Sequence, residues 1–428
     1  MRMTKKVIMG GLILSSSFTL SCNKEMFDEE KYEDLIKEEQ PVDSVQVGHT
    51  WSLATLRTYQ VTANLNVGAK RVYILSANPV DGNDAEIMAQ ADIADGEQKH
   101  LTACVPTMTS GLYAALLDSL GTYTVIGFRA TAEEVNFSGG LLAKQKPLTT
   151  IDKLQTFTYL FEEELPEPGD YDYNDVVLRI SQEALSERQI DIHVELSAVG
   201  ASKKVGAAIR LVDYKKTDVD SITTDGGDTF NLGGPNYDQS LPESSVSIWD
   251  NIDHLQSGRN GEAVINLFED AHWAMGDNLS VEYGVFTRKT YNVSKTSYGD
   301  AEIMPTRQVT YHVFFNKNAD ISKFTFSSLD PFIVEDYNGG YWEVHCYEHR
   351  MAQTIYNYSL VELNTLPWAL MIPYSAFRYP LEGVDIGFSK DGANSGAYLV
   401  DKHSFGEWAR DINSSTDWYL YPMNNRVF

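Results

Sequence analysis

The sequence predicts a mainly all-β chain: an Ig/fibronectin-like β-sandwich followed by a larger β-rich sandwich domain with few short helices. Three observations predict it. Apolar and polar residues alternate with a period of two over many short runs, most cleanly where Ile190, Ile192, Val194, Leu196 and Ala198 interleave with Asp191, His193, Glu195 and Ser197. Turn pairs such as Asn78-Pro79 and Asp81-Gly82 punctuate these runs. Helical patterning is confined to short stretches, while the aromatic content (24 Tyr and 18 Phe) suits pleated, half-buried surfaces.

The first segment is an address. Arg2, Lys5 and Lys6 precede the short apolar run Val7 to Leu14, and Ser15 to Ser21 lead into Cys22. Residues 1–21 therefore read as a signal peptide, because the apolar run is too short to span a bilayer. Thr19-Leu20-Ser21-Cys22 resembles a bacterial lipobox, with Thr where Leu is usual at its first position. That resemblance implies cleavage before Cys22 and acylation of that cysteine, and several acyl chains on one residue anchor stably. A plain secretory signal with an incidental cysteine is the blander reading. Residues 22–44 then form a lipidated cysteine and acidic tether. Glu25, Asp28, Glu29, Glu30, Glu33, Asp34, Glu38 and Glu39 stand there against Lys24, Lys31 and Lys37, a composition that stays solvated.

Residues 45–135 carry the first sandwich. Val61, Ala63, Leu65 and Val67 alternate, and strands are expected at Arg71 to Leu75, His100 to Val105, Leu112 to Leu117 and Tyr123 to Phe128. Ala85 to Ala94 is expected as a helix. Residues 136–156 read as a linker, and 157–428 as the larger domain. Within it, Lys204 to Val212 is expected to pair with the 190–198 strand across a turn at Gly200-Ala201-Ser202. Residues 214–262 are expected as an irregular insertion. Strands resume at Ala263 to Leu267, Leu279 to Arg288, Gln308 to Phe315 and Phe332 to Glu335, and Ser404 caps a short helix from Phe405 to Ile412.

Charge narrows the partners. Thirty-four Lys and Arg against 60 Asp and Glu give a net charge of −26, so nucleic acid is excluded as a main partner. Cys104 and Cys346 fall in different domains and read as buried free thiols rather than a disulfide framework.

The chemistry concentrates in Gly169-Asp170-Tyr171-Asp172-Tyr173-Asn174-Asp175, where oxygen side chains recur at alternate positions just before a strand. Asp170, Asp172 and Asn174, with Asp175, resemble the front half of an EF-hand loop without its sixth-position Gly and twelfth-position Glu. Glu162 or Glu163 returns across the hairpin to complete the shell. We therefore expect a structural Ca²⁺ held by these residues. The plainer alternative is a set of Asx turns, in which Asp170 and Asn174 bond their own backbone.

The same stretch, with Leu366-Pro367-Trp368-Ala369-Leu370, Arg378-Tyr379-Pro380-Leu381-Glu382, Phe405-Gly406-Glu407-Trp408 and Asp417-Trp418-Tyr419, resembles the LruC-domain family of bacterial, often lipid-anchored, outer-membrane proteins. The likeness covers about residues 150–428. It implies a β-rich, cell-surface, Ca²⁺-binding domain with no assigned activity. A Glu-hydrophobic-His pair usually precedes a Pro-Thr step in that family, whereas Glu343-Val344-His345 here lacks the proline.

His345-Cys346-Tyr347-Glu348-His349 also matches the H-x-x-E-H pattern of inverted zinc peptidases. Its aromatic and β-branched flanks favour a strand, which would not place both His on one helical face. Most of the seven Trp are expected in the core rather than on sugar platforms. The expectation is a non-enzymatic, lipid-anchored outer-membrane protein at the cell surface of a Gram-negative bacterium. Its membrane partner is reached through the lipid, its role is adhesion, glycan or protein ligand binding, or envelope structure, and the alternative is a carbohydrate-active or metal-dependent surface hydrolase.

Overall fold

The computed structural model describes residues 44–80, 84–138, 144–145, 151–165, 169–225, 230, 253–276, 280–282, 285–297, 301–337, 340–355, 366–387 and 396–428. The signal peptide, Cys22, the tether up to residue 43, Trp249, and most of the expected 214–262 insertion lie outside them.

Strands β1 (Ala54–Thr62), β2 (Ala69–Leu75), β3 (Ile87–Asp92), β4 (Gln98–Pro106), β5 (Gly111–Asp118), β6 (Tyr123–Arg129), β7 (Glu134–Asn136) and β8 (Lys144–Gln145) build the first sandwich. One sheet runs β4-β1-β7 and the other β3-β2-β5-β6-β8. Tyr59, Val61 and Leu101 from the first sheet meet Ile74, Ala114 and Leu116 from the second in one core.

The helix expected at Ala85 to Ala94 is instead the edge strand β3, in antiparallel register with β2 from Arg71 opposite Asp92 to Leu75 opposite Ile87. Ala, Glu, Met and Gln favour helix by only fractions of a kcal/mol per residue. Pairing with β2 and burial of Ile87 and Met88 outweigh that, at roughly 1.5–3 kcal/mol per buried side chain. Part of the expected linker is also tied down. The Ile87 N–H donates to the Lys153 carbonyl (2.7 Å), and the Gln155 N–H donates to the Ile87 carbonyl (3.0 Å).

The second sandwich follows with β9 (Thr156–Phe161), β10 (Val176–Ser186), β11 (Gln189–Ala198), β12 (Val205–Lys215), β13 (Val219–Thr224), β14 (Leu255–Ser257), β15 (Glu262–Phe268) and helix α1 (Ala271–Met275). Short strands β16 (Ser280–Glu282), β17 (Val285–Thr287), β18 (Thr290–Tyr291) and β19 (Ala301–Glu302) lead to β20 (Arg307–Phe315), β21 (Leu329–Tyr337) and β22 (Gly340–His345). The chain ends with β23 (Ala369–Ile372), β24 (Leu399–Val400), β25 (His403–Ser404) and helix α2 (Phe405–Arg410). The order is β13-β20-β11-β10-β9-β23 in one sheet and β14-β15-β12-β21-β22 in the other. Phe157, Ile180 and Ile192 of the first pack against Ile209, Ile265 and Ile333 of the second.

Three expectations change here. The described part of the expected irregular insertion at 214–262 holds β13, paired with β20, and β14, paired with β15. Strand β12 does not pair with β11: Gly200 to Ser202 carry the chain across to the opposite sheet, where β12 lies between β15 and β21. Val205 to Ile209 are buried without alternation, as a strand covered on both faces requires. The expected strand Leu279 to Arg288 is two short antiparallel strands, β16 and β17. By contrast α2 begins as expected, with the Ser404 hydroxyl accepting from the Glu407 N–H.

A third layer decides where the site lies. Residues 373–387 and 396–428 fold over the outer face of β9, β10 and β23, packing Phe377, Tyr398, Trp408 and Trp418 on Leu160, Val177 and Leu370. Trp51, from just before β1, inserts into the same layer against Trp408. Trp51, Trp368, Trp408 and Trp418 are thus core residues, while Trp273 and Trp342 are half-buried. The connection from β9 to β10 is clamped between this aromatic layer and the 200–203 crossover.

Candidate metal centre

The β9–β10 connection owes its shape to its tyrosines. Tyr171 and Tyr173 adopt left-handed backbone angles (φ 58° and 55°), which cost non-glycine residues about 1–3 kcal/mol each unless tertiary packing holds them. Here packing does so. Both rings are buried in the aromatic layer, and the Tyr173 hydroxyl donates to the Pro367 carbonyl at 2.6 Å. This winding carries Asp170 and Asp172 past the end of β9, where Glu162 stands.

Glu162, Asp170 and Asp172 come together: one carboxylate oxygen from each lies within 4.8 Å of the others. Glu162 and Asp172 are buried and Asp170 is exposed, so the group opens to solvent on one side. One Glu162 oxygen accepts the Tyr173 N–H at 2.5 Å. The other lies 2.3 Å from where a Cβ on Gly169 would stand, so a side chain there would displace the Glu162 carboxylate. Asp172 accepts the Asn174 N–H (3.1 Å) and, from far along the chain, the Gly383 N–H (2.8 Å).

These carboxylates repel one another. Burial, and then the Asp170 charge, hold Glu162 well above the ordinary carboxylate range. Burial and the charges of Glu162, Asp170 and Glu382 do the same to Asp172, and burial raises Asp170. Among the described residues no Lys or Arg forms an ion pair with any of the three; the nearby cations Lys203 and Lys204 pair with Glu335 and Glu269. Gathering buried carboxylates without a counter-charge is costly, and an all-oxygen anionic set is the donor chemistry of a hard cation. The residues present fit Ca²⁺.

The other three expected ligands have different partners. Asp175 accepts the Glu163 N–H (2.7 Å). The Glu163 carboxylate accepts the Ser202 N–H (2.8 Å), the Ser202 hydroxyl (2.7 Å) and the Lys203 N–H (3.0 Å). The Asn174 side-chain amide donates to the Pro380 carbonyl (3.2 Å), while its oxygen lies 1.9 Å from where a Gly200 Cβ would be. These side chains fasten the corner to the crossover and to the C-terminal layer. Asx-type bonding occurs too, though at Asp172, which accepts the Asn174 N–H, rather than at the expected Asp170 and Asn174.

Sequence reasoning missed Glu382. It directly precedes Gly383, whose N–H bonds Asp172, and burial, then the charges of Asp170 and Glu163, push it up to about 7. It stands about two hundred residues from the loop, so no local spacing marks it; its only signal is membership of the Arg378 to Glu382 segment.

The H-x-x-E-H segment does not form a helix. Strand β22 ends at His345, and residues 347–349 make a single 3₁₀ turn. His345 is buried with both ring nitrogens engaged, Nδ1 with both Asp330 oxygens (3.0 Å each) and Nε2 with Glu343 (3.2 Å). The one-helix zinc arrangement is therefore absent from these residues.

The family described as a domain of unknown function (DUF4842) matches residues 188–419. Among solved structures, the chain is similar to a "Putative lipoprotein from Bacteroides ovatus". The TM-score is 0.51 at 16% identity, over 84% of this chain and 99% of that one. At that identity the likeness shows a shared fold. No curated protein matches.

Proposed function

The chain belongs to the DUF4842 family, and from that premise we propose a lipid-anchored outer-membrane protein of the cell surface whose β-rich domain is stabilised by Ca²⁺. Its role is non-catalytic: ligand binding, adhesion or envelope structure. The observation that carries this reading is the convergence of Glu162, Asp170 and Asp172 with no ion-paired Lys or Arg among the described residues. Bound Ca²⁺ would supply positive charge to these carboxylates and so fix the corner where β9, β10 and the C-terminal layer meet. The resemblance of residues 150–428 to the LruC-domain family points the same way. The lipobox-like Thr19 to Cys22, the acidic tether and the similarity to a protein described as a lipoprotein support the anchor.

Thermal unfolding of the full chain with Ca²⁺ against chelator tests the metal. Saturation at a hundred times Kd should add about 2.7 kcal/mol and raise the midpoint. Asp172→Ala should abolish the response; no response, or one that survives this substitution, ends the reading. For the anchor, Cys22→Ala should move the chain out of the membrane fraction, and retention there refutes lipidation.

A further inference from the structure

A cavity of about 530 Å³ opens at the seam of the two sandwiches. Residues 50–56 and Cys104 form one wall, and Tyr159, Phe326 and Cys346 form the other. Its volume is that of a small-molecule site, and junctions between folded units are where such sites gather. Most of the lining is apolar or aromatic.

One polar group inside has no partner among the described residues. Tyr159 is 1% exposed, and no described group hydrogen-bonds its phenol oxygen, which is costly for a buried hydroxyl. Tyr159 lines the cavity together with Cys104, Cys346, Asp330 and Glu348.

The remaining chemistry narrows the ligand. Burial pushes the Cys104 thiol up to about 12 and raises Cys346 well above its ordinary value, so both present neutral, polarisable sulfur rather than a nucleophile. Asp330 is already occupied by His345 and Arg210. Glu348 is exposed at the mouth, on a chain of net charge −26, and disfavours an anion.

We propose that this cavity binds a neutral, ring-containing apolar small molecule carrying one hydrogen-bonding group, which pairs with the Tyr159 hydroxyl. The site draws on none of the cation-cluster residues, so it stands or falls apart from the Ca²⁺ reading.

Two matched fluorescent probes test it on the full chain carrying Cys22→Ala: N-phenyl-1-naphthylamine, which is neutral, and its sulfonated analogue, 1-anilinonaphthalene-8-sulfonate. The neutral probe should bind saturably at one site and at least about tenfold tighter than the sulfonate, since the anion loses hydration to an acidic mouth. Tyr159→Phe should weaken it about three- to tenfold without lowering the unfolding midpoint. Ala369→Phe, which fills the cavity, should abolish binding. Absence of saturable binding, equal affinity for both probes, or an unchanged affinity in Tyr159→Phe overturns the proposal, as does binding by a folded Ala369→Phe chain. Should overpacking unfold that variant, the probe pair and Tyr159→Phe decide alone.

Discussion

The carboxylates around His345 and those around Glu162 are buried in the same sandwich, yet their charge is balanced differently. Asp330 faces the His345 imidazole and the Arg210 guanidinium (2.8 Å). Glu343 meets the other side of the ring and accepts the Thr354 and Ile355 N–H groups (2.6 and 2.5 Å). Burial lowers the affinity of that imidazole for its proton, but the Asp330 charge and the hydrogen bonds to Asp330 and Glu343 outweigh it and hold the pKa at about 9. Asp330 stays below its ordinary value although burial pushes it up. Glu162 and Asp172 are as deeply buried and are raised instead. The difference is the counter-charge: Asp330 has an imidazole and a guanidinium beside it, whereas among the described residues no Lys or Arg pairs with Glu162 or Asp172.

Removing the internal cation should have the largest effect. His345→Phe keeps a ring beside Phe332, on which His345 stacks at 4.6 Å, but strips the charge from between two carboxylates. Breaking a buried pair in this way costs about 3–5 kcal/mol, measurable by denaturant unfolding. A loss below about 1 kcal/mol would mean that the two centres do not differ in the way described.

The same centre sets a pH dependence of known sign. The His345 pKa is raised from 6.5 to about 9 on folding, so its contribution is fully present below 6.5 and is lost as pH rises through about 9. At about 1.36 kcal/mol per unit the whole contribution is about 3 kcal/mol. The unfolding midpoint should fall over this window in the native chain, and His345→Phe should flatten that part of the profile. A native profile identical to that of the variant would remove the imidazolium from the account.

These centres also show what the sequence made legible. Strict alternation located β11, and β4, β5, β6 and β20 lie where their apolar runs are. Pairing partners were less legible, because alternation reports which face is buried and not which strand lies alongside. Strand β12 therefore reads as a hairpin partner of β11 although it belongs to the opposite sheet. The Ala85 to Ala94 segment carries helix-favouring residues whose preference yields to an edge-strand position beside β2. At the carboxylate cluster, Asp170 and Asp172 are local and visible, and Glu162 is near enough to guess from the hairpin. The Gly383 amide and Glu382 reach the cluster only because the C-terminal layer folds back over the corner. His345 stands out in the sequence for a motif it does not complete, while its partner Asp330 lies on the neighbouring strand β21, a relation that register alone reveals.

The smallest expected effect separates two adjacent glutamates that the sequence cannot tell apart. Glu162 lies in the carboxylate cluster, whereas the Glu163 carboxylate is held by the Ser202 N–H, the Ser202 hydroxyl and the Lys203 N–H. Glu163→Gln keeps one acceptor oxygen toward that crossover and should cost about 1 kcal/mol or less, in the range of one or two ordinary hydrogen bonds. Its Ca²⁺ midpoint, read by titrating the unfolding temperature, should stay within about threefold of the native value, since only a screened neighbouring charge is lost. Glu162→Gln removes a charge from the cluster itself and should shift that midpoint by about tenfold or more. Equal shifts in the two variants would place the cation between both side chains and move the centre toward the crossover. A shift in Glu163→Gln alone would relocate it altogether, leaving Glu162 as a buried carboxylate sustained by the Tyr173 amide.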